Sequence, residues 1–117
     1  MNPDSPFISI ILPIRNEEDN ISSTLDSIMN QDYPADKIEI IISDGSSYDN
    51  TINIVQNIAT QDSRIKIINN RHKIVSTGFN LGLNQCRGDF IFRVDGHCKI
   101  SPVYFKNCLK LLNNHDA

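Results

Sequence analysis

The chain has 117 residues, 39% hydrophobic and 21% charged, with three cysteines and a formal net charge of -3. That is enough for one domain with a real core, while the acidic balance and the lack of any Lys/Arg run argue against a nucleic-acid partner. No apolar run reaches a membrane span, Met1-Asn2-Pro3-Asp4 lacks the features of a signal peptide, and Cys86, Cys98 and Cys108 are odd in number and off zinc spacing, so the expectation is a cytoplasmic chain with reduced, structural thiols.

Residues Phe7 to Ile14 form an isoleucine-rich run closed by Pro13 and polar on neither face, as suits a central strand covered by helices on both sides. In Arg15-Asn16-Glu17-Glu18-Asp19, Asn16 is a good N-cap and the three acids suit the positive end of a helix dipole. A helix is expected to follow, with Ile21, Leu25, Ile28 and Met29 facing inward and a stop between Asn30 and Pro34. Lys37 to Ser43 reads as a second buried strand. Asp44 to Thr51 is a turn-rich loop running into a helix whose inward stripe is Ile54, Val55, Ile58 and Ala59. Ile65 to Ile68 is a short third strand, followed by the polar loop Asn69-Asn70-Arg71-His72-Lys73. Ser76 or Thr77 is placed to cap the next helix, which carries Phe79, Leu83 and Cys86; Gly78 and Gly82 would let it press on a neighbouring backbone, and Gly88 ends it. Phe90, Phe92 and Val94 then alternate with Ile91, Arg93 and Asp95 in a fourth strand that Gly96 breaks. Pro102 stands near the start of a final helix and is followed by Val103, Phe105, Leu109 and Leu112 at roughly helical intervals.

Strand and helix alternate four times without repeat or linker, which predicts an α/β fold: a mostly parallel Rossmann-like sheet with helices on both faces. No Gly-x-Gly-x-x-Gly or Gly-Lys-Ser/Thr loop follows any strand, against a dinucleotide oxidoreductase or a P-loop enzyme. Ligands of such sheets bind beyond the carboxyl ends of the strands, where the loops Pro13 to Glu17, Asp44 to Ser47 and Asp95 to His97 should converge. Each brings a carboxylate, and the three would repel unless a cation or a set of donors lay between them. Asp44 can accept from the imide of uracil, Glu17 from ribose hydroxyls, and Asp95 with His97 can hold a divalent cation that offsets a diphosphate. Arg15, Arg71, Lys73 and Arg93 are the positive groups at hand. Plainer readings stand beside these: Glu17 as a helix-dipole partner, Asp44-Gly45 and Asp95-Gly96 as turns, His97, Arg71 and Lys73 as solvated loop residues, and Arg93 paired with Asp89 or Glu39.

Four blocks carry a family resemblance over nearly all of Phe7 to Phe105: Ile8 to Glu17, Ile40 to Thr51, Gly78 to Gly82, and Gly88 to Ile91 with Val94-Asp95-Gly96-His97. In order and spacing they resemble the family 2 inverting glycosyltransferases of GT-A fold, and Arg93-Val94-Asp95-x-His97 is similar to the pattern of a bacterial exopolysaccharide subgroup of succinoglycan type. The resemblance implies that Pro13, Arg15, Asn16 and Glu17 line a nucleoside pocket, with Ser46 among the substrate-binding residues. It also implies that Asp44 contacts the base, that Asp95 lies by ribose and diphosphate, and that His97 is the metal ligand where relatives have the last acid of Asp-x-Asp. Imidazole in that place suits Mn2+ better than Mg2+. Phe79 stands where many relatives have arginine before the Asn, so any contact that arginine makes is either lost or taken over by Arg71, Lys73 or Arg93. The implied partners are a UDP-sugar donor and a saccharide or lipid-linked acceptor. The segment that binds the acceptor and carries the catalytic base would lie beyond Ala117, so residues 1–117 are expected to be the donor-binding, N-terminal part of a larger enzyme, inactive alone. Two other readings remain: a non-catalytic nucleotide-binding or interaction module, and a sugar-phosphate nucleotidyltransferase, which would want a glycine-rich basic loop where Pro13-Ile14-Arg15-Asn16-Glu17 stands.

Overall fold

A computed structural model of the chain describes residues 5–115. Its centre is a sheet of four parallel strands in the order β3-β2-β1-β4, formed by β1 (Ile8–Ile14), β2 (Ile38–Asp44), β3 (Ile65–Asn69) and β4 (Phe90–Arg93). Helices α1 (Ile21–Met29), α2 (Thr51–Ala59) and α3 (Val75–Gln85) connect the strands, α4 (Tyr104–His115) follows β4, and a short 3-10 turn, Ala35–Lys37, leads into β2. The predicted α/β class, the parallel sheet and the central position of the first strand all hold.

Every residue of β1 and β2 is buried, which accounts for their lack of a polar face. The even-numbered isoleucines Ile8, Ile10, Ile14, Ile38, Ile40 and Ile42, with Leu12, form the main core with Ile21, Leu25 and Ile28 of α1, Val55 of α2 and Phe105 and Leu109 of α4. Phe92 joins them, its ring 4.9 Å from that of Phe105. The opposite face is covered by α3, which comes close because of its glycines. A Cβ on Gly82 would stand 2.5 Å from Ile11 Cγ2, and one on Gly78 3.1 Å from Ser43 Oγ and 3.2 Å from Pro13 Cβ, so the predicted close approach is observed.

Two helix starts differ from expectation. α1 begins at Ile21, not beside Asn16; its first amides, those of Asn20 and Ile21, donate to the carbonyl of Glu17, and Glu17, Glu18 and Asp19 all precede the helix. Asn16 instead takes a left-handed conformation, φ 54°, and is used by a neighbouring loop. α3 begins before Ser76 and Thr77, with Ile74 at its N-cap and no side-chain cap. The side chain of Asn70 fixes that start by donating to the Ile74 carbonyl at 2.8 Å.

At the amino-terminal end of the sheet, on the α3 face, the buried carboxylate of Glu39 ties four segments together. It accepts from Ser9 Oγ at 2.6 Å, from the Arg87 amide at 2.6 Å and from Lys66 Nζ at 3.2 Å, while Ser9 Oγ accepts in turn from the Gly88 amide. Burial pushes the Glu39 carboxyl up, but the bonds from Ser9, Arg87 and Lys66 and the Lys66 charge outweigh it and hold the group below its ordinary 4.5. Because the folded-state value is the depressed one, this network adds stability above pH 4.5 and loses it as pH falls through the folded-state value. Glu39→Ala strands these donors and should cost about 1–3 kcal/mol of unfolding free energy at neutral pH. Denaturant titrations at several pH values check this: the gap between variant and parent should narrow on acidification, and a gap independent of pH would contradict it.

Candidate functional site

The parallel register sets the carboxyl ends of three strands level, with Ile14 opposite Asp44 and Asp44 opposite Asn69. β4 ends earlier, at Arg93, which pairs with Ile11. The loops that leave these ends are bonded to one another. The Gly45 amide donates to the Ile14 carbonyl at 2.7 Å and Arg15 Nε to the Gly45 carbonyl at 3.0 Å. The Asn16 amide donates to Ser47 Oγ, the Tyr48 amide to Asn16 Oδ1, and the Glu17 amide to Thr51 Oγ1. The Asn70 amide reaches the Asp44 carbonyl at 2.7 Å. Asn16, Ser46 and Lys73 are the non-glycine residues with positive φ among those described, at 54°, 57° and 61°, one in each of three adjoining loops. Left-handed backbone at such residues costs free energy and persists where the surroundings impose it, often at functional sites. Gly45 lies among them with a negative φ; its reason is space, since a Cβ there would lie 3.2 Å from the Ile14 carbonyl and 3.4 Å from Lys73 Cα.

Asp44 is buried at the end of β2, where its two oxygens accept from the hydroxyl and the amide of Ser47 at 2.5 and 3.3 Å. With Ser46, Ile52, Ile67, Ile68 and Asn69 it lines an open pocket of about 330 Å³. On the other side of β1, the turn after β4 folds back over Glu17. His97 Nδ1 lies 3.0 Å from Glu17 Oε2, and Gly96 packs so tightly that a Cβ would sit 2.7 Å from Ile14 Cγ2 and 3.0 Å from Glu17 Cγ. Arg93 pairs with Asp95 Oδ1 at 3.2 Å, not with Asp89 or Glu39 as the plainer reading expected. Glu39 is already held by Lys66 and Arg87. Asp95, His97 and Cys98 each place a ligand atom within 4.8 Å of the others. The Asp95 carboxylate and the His97 imidazole are oxygen and nitrogen donors that fit the divalent cation the sequence implies, and the Cys98 thiol adds a softer donor beside them.

The rim therefore gathers Arg15, Asn16, Glu17, Asp44, Ser46, Asp95 and His97. Pro13 is buried beneath α3, against the position a Gly78 Cβ would take. Arg71 and Lys73 are exposed on the loop after β3, with Lys73 beside Gly45. Sequence reasoning gave no role to Ser47 and Thr51, although both lie in the Asp44-to-Thr51 block; they fasten the first loop to the second. It also passed over Ile67, Ile68 and Asn69, whose signal was their place at the end of the third strand. Tyr48 was missed as well: it is 82% exposed, and the Arg15 guanidinium lies over its ring, 5.5 Å from the centroid.

A parallel sheet with helices on both faces and bonded, carboxylate-bearing loops at its carboxyl edge places the chain among the open α/β folds, whose ligands bind beyond that edge. Comparison with known proteins narrows this: the sequence matches "Glycosyl transferase family 2" over residues 9–117, and the chain belongs to that family. A dolichyl N-acetyl-alpha-D-glucosaminyl phosphate 3-beta-D-2,3-diacetamido-2,3-dideoxy-beta-D-glucuronosyltransferase from Methanococcus voltae is 36% identical over 103 residues, which cover 86% of this chain and 32% of that protein. The crystal structure of S. aureus TarS 1-349 in complex with UDP superposes with a TM-score of 0.81 at 27% identity, over 92% of this chain and 32% of TarS. The mannosyltransferase PcManGT from Pyrobaculum calidifontis, in complex with GDP-Man and Mn2+, gives 0.87 at 25% identity, over 94% of this chain and 33% of that one. The chain spans about a third of the length of the curated relatives it matches. No helix among the described residues is long and apolar enough to cross a membrane.

The hydrogen bond to Glu17 raises the His97 pKa above its ordinary 6.5, helped by the charges of Glu17 and Asp95. Stability drawn from the pair is thus complete below pH 6.5 and lost as pH rises through the raised value. An NMR titration of the metal-free chain should give His97 a midpoint above 6.5, and Glu17→Gln should move it down; an unmoved midpoint would show that the pair does not form.

Proposed function

We propose that this chain is the donor-binding part of an inverting glycosyltransferase that takes a UDP-sugar together with a divalent cation. The observation that carries the reading is the single rim on which the Asp44 pocket and the Asp95/His97 pair lie either side of β1, with Glu17 bonded to His97 through its carboxylate and to Thr51 through its amide. In this reading the Asp44 carboxylate accepts from the uracil imide at the pocket floor. Arg15, Asn16 and Ser46 border the nucleoside, with Pro13 supporting them from beneath α3. Glu17 holds His97 through Oε2 and keeps Oε1 for a ribose hydroxyl. Asp95 and His97 hold the cation, and the exposed Arg71 and Lys73 supply further positive charge toward the diphosphate.

Inverting transfer is one displacement: a base removes the proton of the acceptor hydroxyl as its oxygen attacks the anomeric carbon and the nucleoside diphosphate leaves. When bound, the cation supplies neutralising charge to that leaving group. The residues here hold and orient the donor. We place the base and the acceptor site in the remaining part of the enzyme, with a saccharide or a lipid-linked sugar as acceptor; the dolichyl phosphate substrate in the name of the M. voltae relative supports the second. Uracil is favoured by the UDP bound to TarS. A carboxylate also matches the N–H edge of guanine, and PcManGT binds GDP-Man, so the base is decided by direct comparison.

Isothermal titration with UDP and GDP, with and without Mn2+, tests the reading. UDP should bind more tightly than GDP and tighter still with Mn2+. Asp44→Asn should weaken UDP about tenfold or more, as expected for loss of a charged hydrogen bond, and His97→Ala should abolish the Mn2+ gain. Heat with UDP that neither Mn2+ nor His97→Ala alters would remove the metal assignment. No heat with either nucleotide would leave the interaction-module reading in its place.

A further inference from the structure

We propose that Cys98 is a third protein ligand at the Asp95/His97 cation position, making an oxygen, nitrogen and sulfur site that prefers Zn2+ or Co2+ to Mg2+. The inference builds on the donor-site reading and goes beyond it, because neither the family pattern nor the cysteine count gives this thiol a ligand role.

Four observations converge on it. First, the residues from Asp95 to Cys98 form a closed turn: the Cys98 amide donates to the Asp95 carbonyl at 3.0 Å, so the first and fourth side chains start close together. Second, the turn is fixed from outside. Gly96 is wedged between Ile14 and Glu17, and its carbonyl accepts from Thr24 Oγ1 at 3.0 Å, so the donor atoms do not depend on a free loop for their position. Third, the neighbouring groups leave the right atoms over. Glu17 engages His97 Nδ1, which leaves Nε2 for an ion in the carboxylate–histidine arrangement usual around metals. Arg93 engages Asp95 Oδ1, which leaves Oδ2. Fourth, the sulfur stands within 4.8 Å of both of these ligand groups, while the half-buried Cys98 side chain packs against the core. Cys98 is the only cysteine among the described residues in such a cluster. Cys86 donates to the Leu83 carbonyl at the end of α3, and Cys108 lies in α4.

The donor set decides the ion. Mg2+ demands an octahedral shell of oxygens, whereas thiolate and imidazole favour zinc and its neighbours. Ligation exchanges the thiol proton for the metal, the proton passing to buffer. Three protein donors also leave coordination positions open, as a diphosphate would require.

Co2+ titrated into the reduced chain without nucleotide reads the site by its spectrum. A near-ultraviolet charge-transfer band of a cobalt thiolate should grow to one equivalent, fade when Zn2+ is added, and persist in excess Mg2+. Cys98→Ser should remove the band and weaken Co2+ by at least about tenfold, while Cys86→Ser and Cys108→Ser keep it. Should the serine variant not fold, Zn2+ protection of Cys98 from alkylation in the parent chain, located by mass spectrometry, gives the same answer. No cobalt binding, cobalt binding without the band, a band unchanged in Cys98→Ser, or alkylation of Cys98 unaffected by Zn2+ would overturn the assignment. UDP heat without a thiolate band sinks Cys98 alone. A thiolate band without heat from UDP or GDP sinks the donor-site reading and leaves the metal site standing.

Discussion

The level carboxyl ends of β1 and β2 are the constraint on which everything else in this molecule depends. Parallel pairing places Ile14 opposite Asp44, and the hydrogen bond from the Gly45 amide to the Ile14 carbonyl extends the ladder one step past the strands. Both strands are buried on both faces, so a shift of register by one residue would turn Ser9, Glu39 and Ser43 into the main isoleucine core. The cost of burying those polar groups among apolar side chains locks the register, and the register in turn sets where the loops begin.

From that edge the loops have little freedom. Arg15, Asn16 and Glu17 all bond to the loop after β2, and Asp44 is joined through its own carbonyl to the loop after β3. The backbone bears the cost at Asn16, Ser46 and Lys73, which take left-handed conformations without being glycine. These interlocked turns hold two unlike environments on either side of β1: a pocket of isoleucine walls with one carboxylate, and a half-buried turn that gathers an oxygen, a nitrogen and a sulfur atom. In the proposed function the first takes the base and the second the cation of a nucleoside diphosphate. In the proposed function, a chain spanning about a third of its relatives' length carries a donor-binding edge built from the ends of its four strands.

Much of this was legible in the residues. The isoleucine runs announced buried strands, strict alternation of strand and helix announced parallel pairing, and Gly78 and Gly82 announced the close approach of α3. Three features were not. The cap preference of Asn16 was overridden because its amide and side-chain oxygen are claimed by Ser47 and Tyr48, partners some thirty positions away. Arg93 was expected to pair with Asp89 or Glu39, yet the chain leaving β4 brings Asp95 to the Arg93 guanidinium. Glu17 and His97 stand 80 residues apart, and only the folding of the Gly96 turn onto Ile14 brings them together. Local propensity reads what a segment does by itself; these contacts are made by the edge as a whole.

The central claim is that one rim grips a nucleotide and its cation together, and a crystal structure of the chain grown with UDP and Mn2+ tests it most directly. The account predicts an anomalous manganese peak against Asp95 and His97, with the uracil ring in the pocket beside Asp44 and Asn69. Manganese elsewhere on the surface, or a nucleotide bound away from the carboxyl edge of the sheet, would contradict it.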